Sequence, residues 1–319
     1  MSNPLKTLSM SNLYDGIDHW LGNAQRPLLV VVGPTASGKT KLAVQLAEKF
    51  NGEVINADSR QIYKGIEVGN ALTTSEEMKG IRHHLFANYP LSHHFSVAEY
   101  KQEAEGWIKR VQKFEKLPIL CGGTTMWIDS VVDNYIIPET KPNHALRADL
   151  ELLSVDELLS RLNEVDPESA EQLIKERNKR YIIRALEIFH ETGKTKSALA
   201  KKGKRKFDVF KVAPHWEREK LYERINERTK EQLERGMIEE VQALVDQYAK
   251  GDLDKFSKIP WPGLSSIGCK EVVPFLKGEI TKDQLLENIQ QVNRNYAKRQ
   301  LTWLRKDKEV NWIDMNGGE

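Results

Sequence analysis

Residues 28–40 read Leu28-Leu29-Val30-Val31-Val32-Gly33-Pro34-Thr35-Ala36-Ser37-Gly38-Lys39-Thr40. The apolar run has the length of a buried strand. It feeds a complete G-x-x-x-x-G-K-T phosphate loop, after which a helix begins at about Gly38. In such a loop the backbone N–H groups converge on phosphate oxygens, and the positive end of the helix adds to their field. Lys39 supplies a mobile point charge, and the Thr40 hydroxyl is placed to sit on a magnesium ion. This stretch predicts a protein that binds a di- or triphosphate.

Two more apolar runs follow. Glu53-Val54-Ile55-Asn56-Ala57 leads into Asp58-Ser59-Arg60-Gln61, and Leu117-Pro118-Ile119-Leu120-Cys121 leads into Gly122-Gly123-Thr124-Thr125. The second ends without a carboxylate. Asp58 is thus the early acid at the carboxyl edge of a strand, where open parallel sheets build their sites. From there it could hold a metal ion or take a proton from an acceptor. Arg60 and Gln61 are suited to a nucleobase edge or a phosphate.

Helices are expected at 38–50, 96–115 and 125–134. Strand and helix therefore alternate over the first 130 residues, the pattern of an α/β fold whose parallel sheet is flanked by helices. From about 140 onward the periodicity is helical almost throughout, at 156–162, 167–174, 178–191, 216–248 with a break near Gly236, and 281–307. Ser154 and Glu157 have capping-box spacing. Pro260-Trp261-Pro262-Gly263 is expected to be a loop. The chain divides accordingly into a first part of the core at 26–139, a helical insertion domain at 140–205, and a helical C-terminal part at 206–312 that completes the core.

Composition narrows the class. With 39% hydrophobic and 29% charged residues among 319, the chain can bury a large core. No apolar run approaches the roughly 18 residues of a membrane span, and Met1 to Trp20 lacks the basic-then-apolar order of a secretory leader. Cys121 and Cys269 stand far apart, outside metal-ligand spacing, which predicts reduced thiols in a cytoplasmic protein. No coiled-coil seam is visible, so a monomer is expected. The net charge is only +2, but basic residues cluster. Lys194, Lys196, Lys201, Lys202, Lys204, Arg205 and Lys206 form one group. Arg294, Lys298, Arg299, Arg305, Lys306 and Lys308 form another, with only Asp307 against them. A charge run is ordinarily a solvated face, yet two in a phosphate-binding chain suit a polyanion groove.

A longer series of segments carries a family resemblance. After Gly33–Thr40 come Asp58-Ser59-Arg60-Gln61-Ile62-Tyr63, His83-His84-Leu85, Gly122-Gly123-Thr124 and Arg184-Ala185-Leu186-Glu187. These are followed by Leu221-Tyr222-Glu223-Arg224-Ile225, Ile267-Gly268-x-Lys270-Glu271 and Tyr296-Ala297-Lys298-Arg299-Gln300-Leu301-Thr302-Trp303. From residue 28 to 308 the chain resembles the tRNA dimethylallyltransferase (tRNA isopentenyltransferase) family.

The resemblance implies a P-loop kinase-like core and transfer of a dimethylallyl group from dimethylallyl diphosphate to N6 of adenosine 37 of tRNA, with Mg²⁺. It implies that Gly33, Pro34, Thr35, Ala36, Ser37, Gly38, Lys39 and Thr40 hold the diphosphate. Within that loop, Thr35 would lie on the bridging oxygen and Thr40 on the metal. Arg224 would be a second cation, with Arg228 as the alternative in another helical register, and Asp58 a general base on the adenine amine. Asp58, Ser59, Arg60, Gln61 and Thr124 would contact tRNA, as would Arg147, Lys179, Arg180, Tyr181, Ile182, Ile183 and Arg184. Lys298, Arg299 and Gln300 would form a further tRNA face.

The chain departs from the family pattern at Thr125-Met126-Trp127, at Cys269, at Lys179 and at Asn295. His83-His84 and His93-His94 are expected to have structural or substrate-loop roles rather than to bind metal together, because adjacent side chains diverge on a strand. A small-molecule kinase, an adenylate isopentenyltransferase and a non-catalytic RNA-binding module are the alternatives. The basic helices weigh against the first two, and the Lys39–Thr40–Asp58 arrangement against the third.

Overall fold

A computed structural model describes residues 7–137, 142–199 and 202–316. The expected division between 139 and 140, and Lys201, lie outside the described residues. β1 (Thr7–Leu8) and α1 (Met10–Leu21) precede β2 (Pro27–Val32), α2 (Lys39–Lys49) and β3 (Gly52–Asn56). The short α3 (Ser75–Met78) and β4 (His83–His84) lead to α4 (Val97–Lys113), β5 (Leu117–Gly122) and α5 (Thr125–Val132). Then come α6 (His144–Glu151), α7 (Val155–Val165), α8 (Pro167–Ile174), α9 (Lys179–Thr192) and α10 (Lys196–Leu199). The chain continues through β6 (Asp208–His215), α11 (Arg218–Glu234), α12 (Met237–Ala249) and α13 (Leu253–Ser257). It ends with α14 (Cys269–Leu276), α15 (Lys282–Leu304) and β7 (Val310–Asp314).

Contacts separate these elements into two units, one up to Ile128 and from Lys206 onward, the other Asp129–Arg205. The first unit holds a seven-stranded, wholly parallel sheet in the order β1-β7-β6-β2-β5-β3-β4. β2 and β5 are buried almost throughout and β3 along its whole length, as their continuous apolar runs predict for strands covered on both faces. On one face Leu29, Val31, Val54 and Ile119 pack with Leu42 and Leu46 of α2 and with Leu13 and Ile17 of α1. α4 lies against β3 and β5. Tyr100 of α4 is fully buried and donates its hydroxyl to the Asn56 carbonyl at 2.9 Å. Among the described residues no helix is long and apolar enough to cross a membrane.

The region after 205 is not purely helical. Its first segment is β6, which pairs directly with β2, with Val30 opposite Lys211. β7 pairs with β6, and β1 with β7. Lys211 conceals β6 in the sequence by placing a charge mid-strand. Its ammonium is buried yet reaches Asp307 at 2.7 Å and Glu309 at 3.1 Å, so the charge is paired rather than stranded. The Pro260–Gly263 segment is also more ordered than expected, since Pro262–Ser265 winds into a 3-10 turn with proline in its first turn.

The second unit is helical. Leu158, Leu159 and Leu162 of α7 pack with Leu173 of α8 and with Ile182, Ile183 and Ala185 of α9. Ser154 and Glu157 form the capping box that their spacing predicts. Asp166 caps α8 by accepting from the Ser169 N–H at 3.2 Å, and it takes the Ser197 hydroxyl at 2.6 Å.

Candidate active site

β2 ends at Val32, and Gly33–Gly38 turn into α2. Gly38, at φ 86°, occupies the left-handed region that favours glycine and starts the helix there. The loop is fastened by groups distant in sequence. The Thr35 N–H donates to Gln300 Oε1 at 2.8 Å. Arg224 Nε donates to the Ala36 carbonyl at 3.0 Å, and Trp216 Nε1 to the Ser37 carbonyl at 2.9 Å. The Arg224 guanidinium also lies over the Trp216 ring, 4.4 Å from its centroid. Arg228 donates through Nη2 to the Thr35 hydroxyl. Both arginines therefore reach the loop from α11, one helical turn apart.

The second wall is the segment after β3. Asn56, fully buried, accepts the Asp58 N–H at 2.8 Å and donates to the Asp58 and Leu85 carbonyls, both at 3.0 Å. Asp58 Oδ1 accepts the Arg60 N–H at 3.0 Å, so the carboxylate is held on a tight turn. The Ser59 N–H donates to Thr124 Oγ1 at 2.9 Å, and the Thr124 N–H to the Ala57 carbonyl at 3.1 Å. This approach requires glycine at 122, where a Cβ would lie 2.1 Å from the Ala57 carbonyl carbon.

Charge converges between the two walls. Burial lowers the pKa of Lys39, while the Asp58 carboxylate opposes that shift. Burial likewise lowers Arg228, with Asp58 again opposing it. Burial raises the Tyr296 phenol, and the charge of Asp58 adds to that rise. Cys121 is pushed up to about 12 by burial, so its thiol is inert at neutral pH. Beside the loop lies a cavity of about 620 Å³ whose lining includes Gly38, Lys39, Thr40, Arg224, Arg228 and Gln232.

The structure thus brings Gly33–Thr40, Asp58, Ser59, Thr124, Arg224 and Arg228 together on the first unit. Gln300 departs from expectation. It is buried, and it faces the phosphate loop rather than an outer surface. Lys298 and Arg299, its neighbours on α15, are exposed. Arg60 turns inward, donating to the Pro262 carbonyl and Ser265 Oγ, each at 2.7 Å. Gln61 donates to the carbonyls of Asn70 and Ala71 at 3.3 and 3.0 Å. His84 pairs with Glu53 at 2.8 Å and stacks on Trp107, and His93 pairs with Glu99 at 2.8 Å.

The remaining expected contacts lie on the second unit. Ile182 and Ile183 are corrected by their burial, since both side chains pack into its helical core. Arg147 donates twice to Glu187, at 2.7 and 2.8 Å, and Arg184 donates to the same carboxylate. Burial alone would raise Glu187, but these guanidiniums overcome it and hold the group at about 2. Arg147 thereby ties α6 to α9, while Arg184 pairs with Glu187 within α9. Lys179 donates to the Glu151 carbonyl at 2.5 Å, whereas Arg180 and Tyr181 are exposed. The basic cluster is also partly neutralised, with Lys202 and Arg205 on Asp133 and Lys206 on Glu105.

The sequence reading missed Gln300 and Trp216 as loop contacts, and it ranked Arg228 below Arg224. The signal for Arg228 was its spacing of four from Arg224. For Trp216 and Gln300 no local signal existed, because their partners lie 179 and 265 residues away.

Comparisons with known proteins identify the family. A model of the IPP transferase family matches residues 61–307. A tRNA dimethylallyltransferase of Anoxybacillus flavithermus is 42% identical over 290 residues, 90% of each chain. One of Bacillus velezensis is 39% identical over 92% of each. The crystal structure of a full-length tRNA isopentenylpyrophosphate transferase from Bacillus halodurans is 34% identical, covers 92% of each chain and superposes with a TM-score of 0.68. A eukaryotic dimethylallyltransferase, described as acting on tRNA, superposes at 0.80 with 27% identity over 92% of this chain and 75% of its own. The chain belongs to the IPP transferase family, among the tRNA dimethylallyltransferases.

Proposed function

We propose that this protein transfers the dimethylallyl group of dimethylallyl diphosphate to N6 of adenosine 37 in tRNA, releasing diphosphate. The observation that carries this reading is the arrangement at Asp58. Asp58, its backbone held by Asn56 and its carboxylate by the Arg60 N–H, lies near enough for its charge to act on both Lys39 of the phosphate loop and Arg228. Heterolysis of the allylic C–O bond places negative charge on the leaving diphosphate. Cations preorganised in a site with little water stabilise that charge. Lys39, Arg224 and Arg228 supply them, and the N–H groups where the loop enters α2, at Gly38, Lys39 and Thr40, supply further donors. The Thr35 hydroxyl meets the bridging oxygen.

Asp58 accepts a proton from the exocyclic amine as the new C–N bond forms, which overcomes the weak nucleophilicity of an amine conjugated with the ring. The adenine must be unstacked from the anticodon loop to reach it, as with other enzymes that modify a base. Ser59, Arg60, Gln61 and Thr124 surround Asp58 and would meet the extruded nucleotide through their remaining donors, acceptors and backbone. Lys298 and Arg299 of α15, and Lys179, Arg180 and Tyr181 on the second unit, are proposed as outer RNA contacts.

The residues present fit a magnesium ion. Among the described residues no cluster of three or more His, Cys, Asp or Glu forms a protein cage. Instead Thr40 opens α2 beside the loop, where the buried Ser37 hydroxyl has no partner among the described residues. An oxygen site of this kind, completed by phosphate and water, suits Mg²⁺. Thr40 would hold the ion, whose chemistry is to neutralise diphosphate charge. The same reading makes the protein a cytoplasmic monomer. Incubation with labelled dimethylallyl diphosphate, Mg²⁺ and unmodified tRNA tests it, with label expected on tRNA and none on free AMP. Transfer to AMP alone, or consumption of ATP instead, would overturn it.

A further inference from the structure

We propose that Gln300 is a positioning residue for the prenyl transfer, acting through Thr35 rather than on either substrate. The inference rests on the reaction proposed above and on four observations. The Gln300 side chain, 5% exposed, accepts the Thr35 N–H at 2.8 Å through Oε1. Through Nε2 it donates to the Gly123 carbonyl at 3.0 Å. One amide therefore fixes the phosphate loop against the turn that carries Thr124, and α15 is its rigid support. Gly123 leaves space for it, since a Cβ there would lie 2.3 Å from Gln300 Nε2 and 3.3 Å from the Gly33 carbonyl. Thr35 is held a second time by Arg228 at its hydroxyl.

The consequence is geometric. A loop that cradles phosphate normally directs its N–H groups at the ligand. Here the Thr35 N–H is committed to protein, so Thr35 contributes its side chain. The orientation of that side chain follows from the backbone that Gln300 locks. A hydroxyl meant for the bridging oxygen matters most when the C–O bond is breaking, so a loosened Thr35 lowers kcat more than it raises KM for the donor. Misplacement of about 1 Å can cost on the order of 100-fold in rate.

The test is a double-mutant cycle in the full-length chain, with Gln300→Met, Thr35→Ala and the pair. Turnover is measured with dimethylallyl diphosphate and saturating tRNA, and tRNA affinity separately by gel shift. Gln300→Met is expected to lower kcat by roughly 10- to 100-fold. Donor KM and tRNA affinity should move by less than about threefold. In the Thr35→Ala background the same change should cost less than about threefold. Gly123→Ala, which pushes the amide aside without altering Gln300, should give the same signature and serves if Gln300→Met folds poorly.

Amide hydrogen exchange reads the positioning independently of the acceptor. Residues 33–37 of Gln300→Met should exchange about tenfold faster or more, while β2 stays protected. Unchanged kcat, an undiminished loss in the Thr35→Ala background, a defect confined to tRNA affinity, or unaltered exchange at 33–37 would each overturn the inference. A wild-type protein that labels AMP or consumes ATP would instead contradict the proposed reaction, and the exchange experiment would still decide the role of Gln300.

Discussion

Glu187→Gln should destabilise the helical unit by about 3 kcal/mol at neutral pH and reduce that unit's acid sensitivity. The native carboxylate, fully buried, takes two bonds from Arg147, one from Arg184 and the Asn143 N–H at 2.8 Å. Charge-assisted bonds contribute about 1.5–3 kcal/mol each and neutral ones about 0.5–1.5, so neutralising the acceptor of several such bonds costs a few kcal/mol. The pKa gives a second route. Depression from 4.5 to about 2 corresponds to on the order of 3 kcal/mol.

The sign follows from the direction of the shift. Stability from this group is fully present above about 4.5 and is lost as pH falls towards 2. Urea titrations of the full-length protein by circular dichroism at several pH values between 7 and 3 are the assay. Wild type and variant should differ most at pH 7 and converge as the pH falls. A gap independent of pH, or equal midpoints at pH 7, would refute the assignment of Arg147 and Arg184 to a structural ion network.

Three other outcomes follow from the site. Asp58→Asn should lower kcat by about 10²- to 10⁴-fold with tRNA affinity kept in a gel-shift assay, as expected for loss of a general base. Retained turnover would remove Asp58 from the mechanism. Trp216→Phe keeps the ring under Arg224 but loses the donor to the Ser37 carbonyl. It should weaken calorimetric binding of inorganic diphosphate by roughly 3- to 10-fold, the equivalent of one hydrogen bond. Gly122→Ala places a methyl group on the Ala57 backbone and should lower stability by at least about 2 kcal/mol in urea unfolding, because neither backbone is free to move.

Much of the core was legible because its signals are local. The strand, loop and helix of residues 28–49 each depend on neighbours in sequence, as does the glycine pair beside Asp58. β6 was hidden because Lys211 and Pro214 interrupt a short apolar run, and its pairing with β2 spans about 180 residues. β1 is only two residues long, too short for periodicity to register, and β7, at five, lacks the continuous apolar run that marks the central strands. At the site, an amino-acid type revealed what a side chain could do but not what it touches. Arg147 and Ile183 sit in one helical region of the sequence, yet one meets a buried acid and the other a hydrophobic core. Gln300 read as part of a basic outer face because its neighbours are Lys298 and Arg299. Helical geometry instead turns it inward by about 100° per residue.

The central claim is tested most directly by following radiolabel from dimethylallyl diphosphate, with Mg²⁺, in parallel reactions containing unmodified tRNA and free AMP. Label should appear on tRNA, on the adenosine beside the anticodon, and be absent from AMP. Label on AMP with none on tRNA would contradict the account.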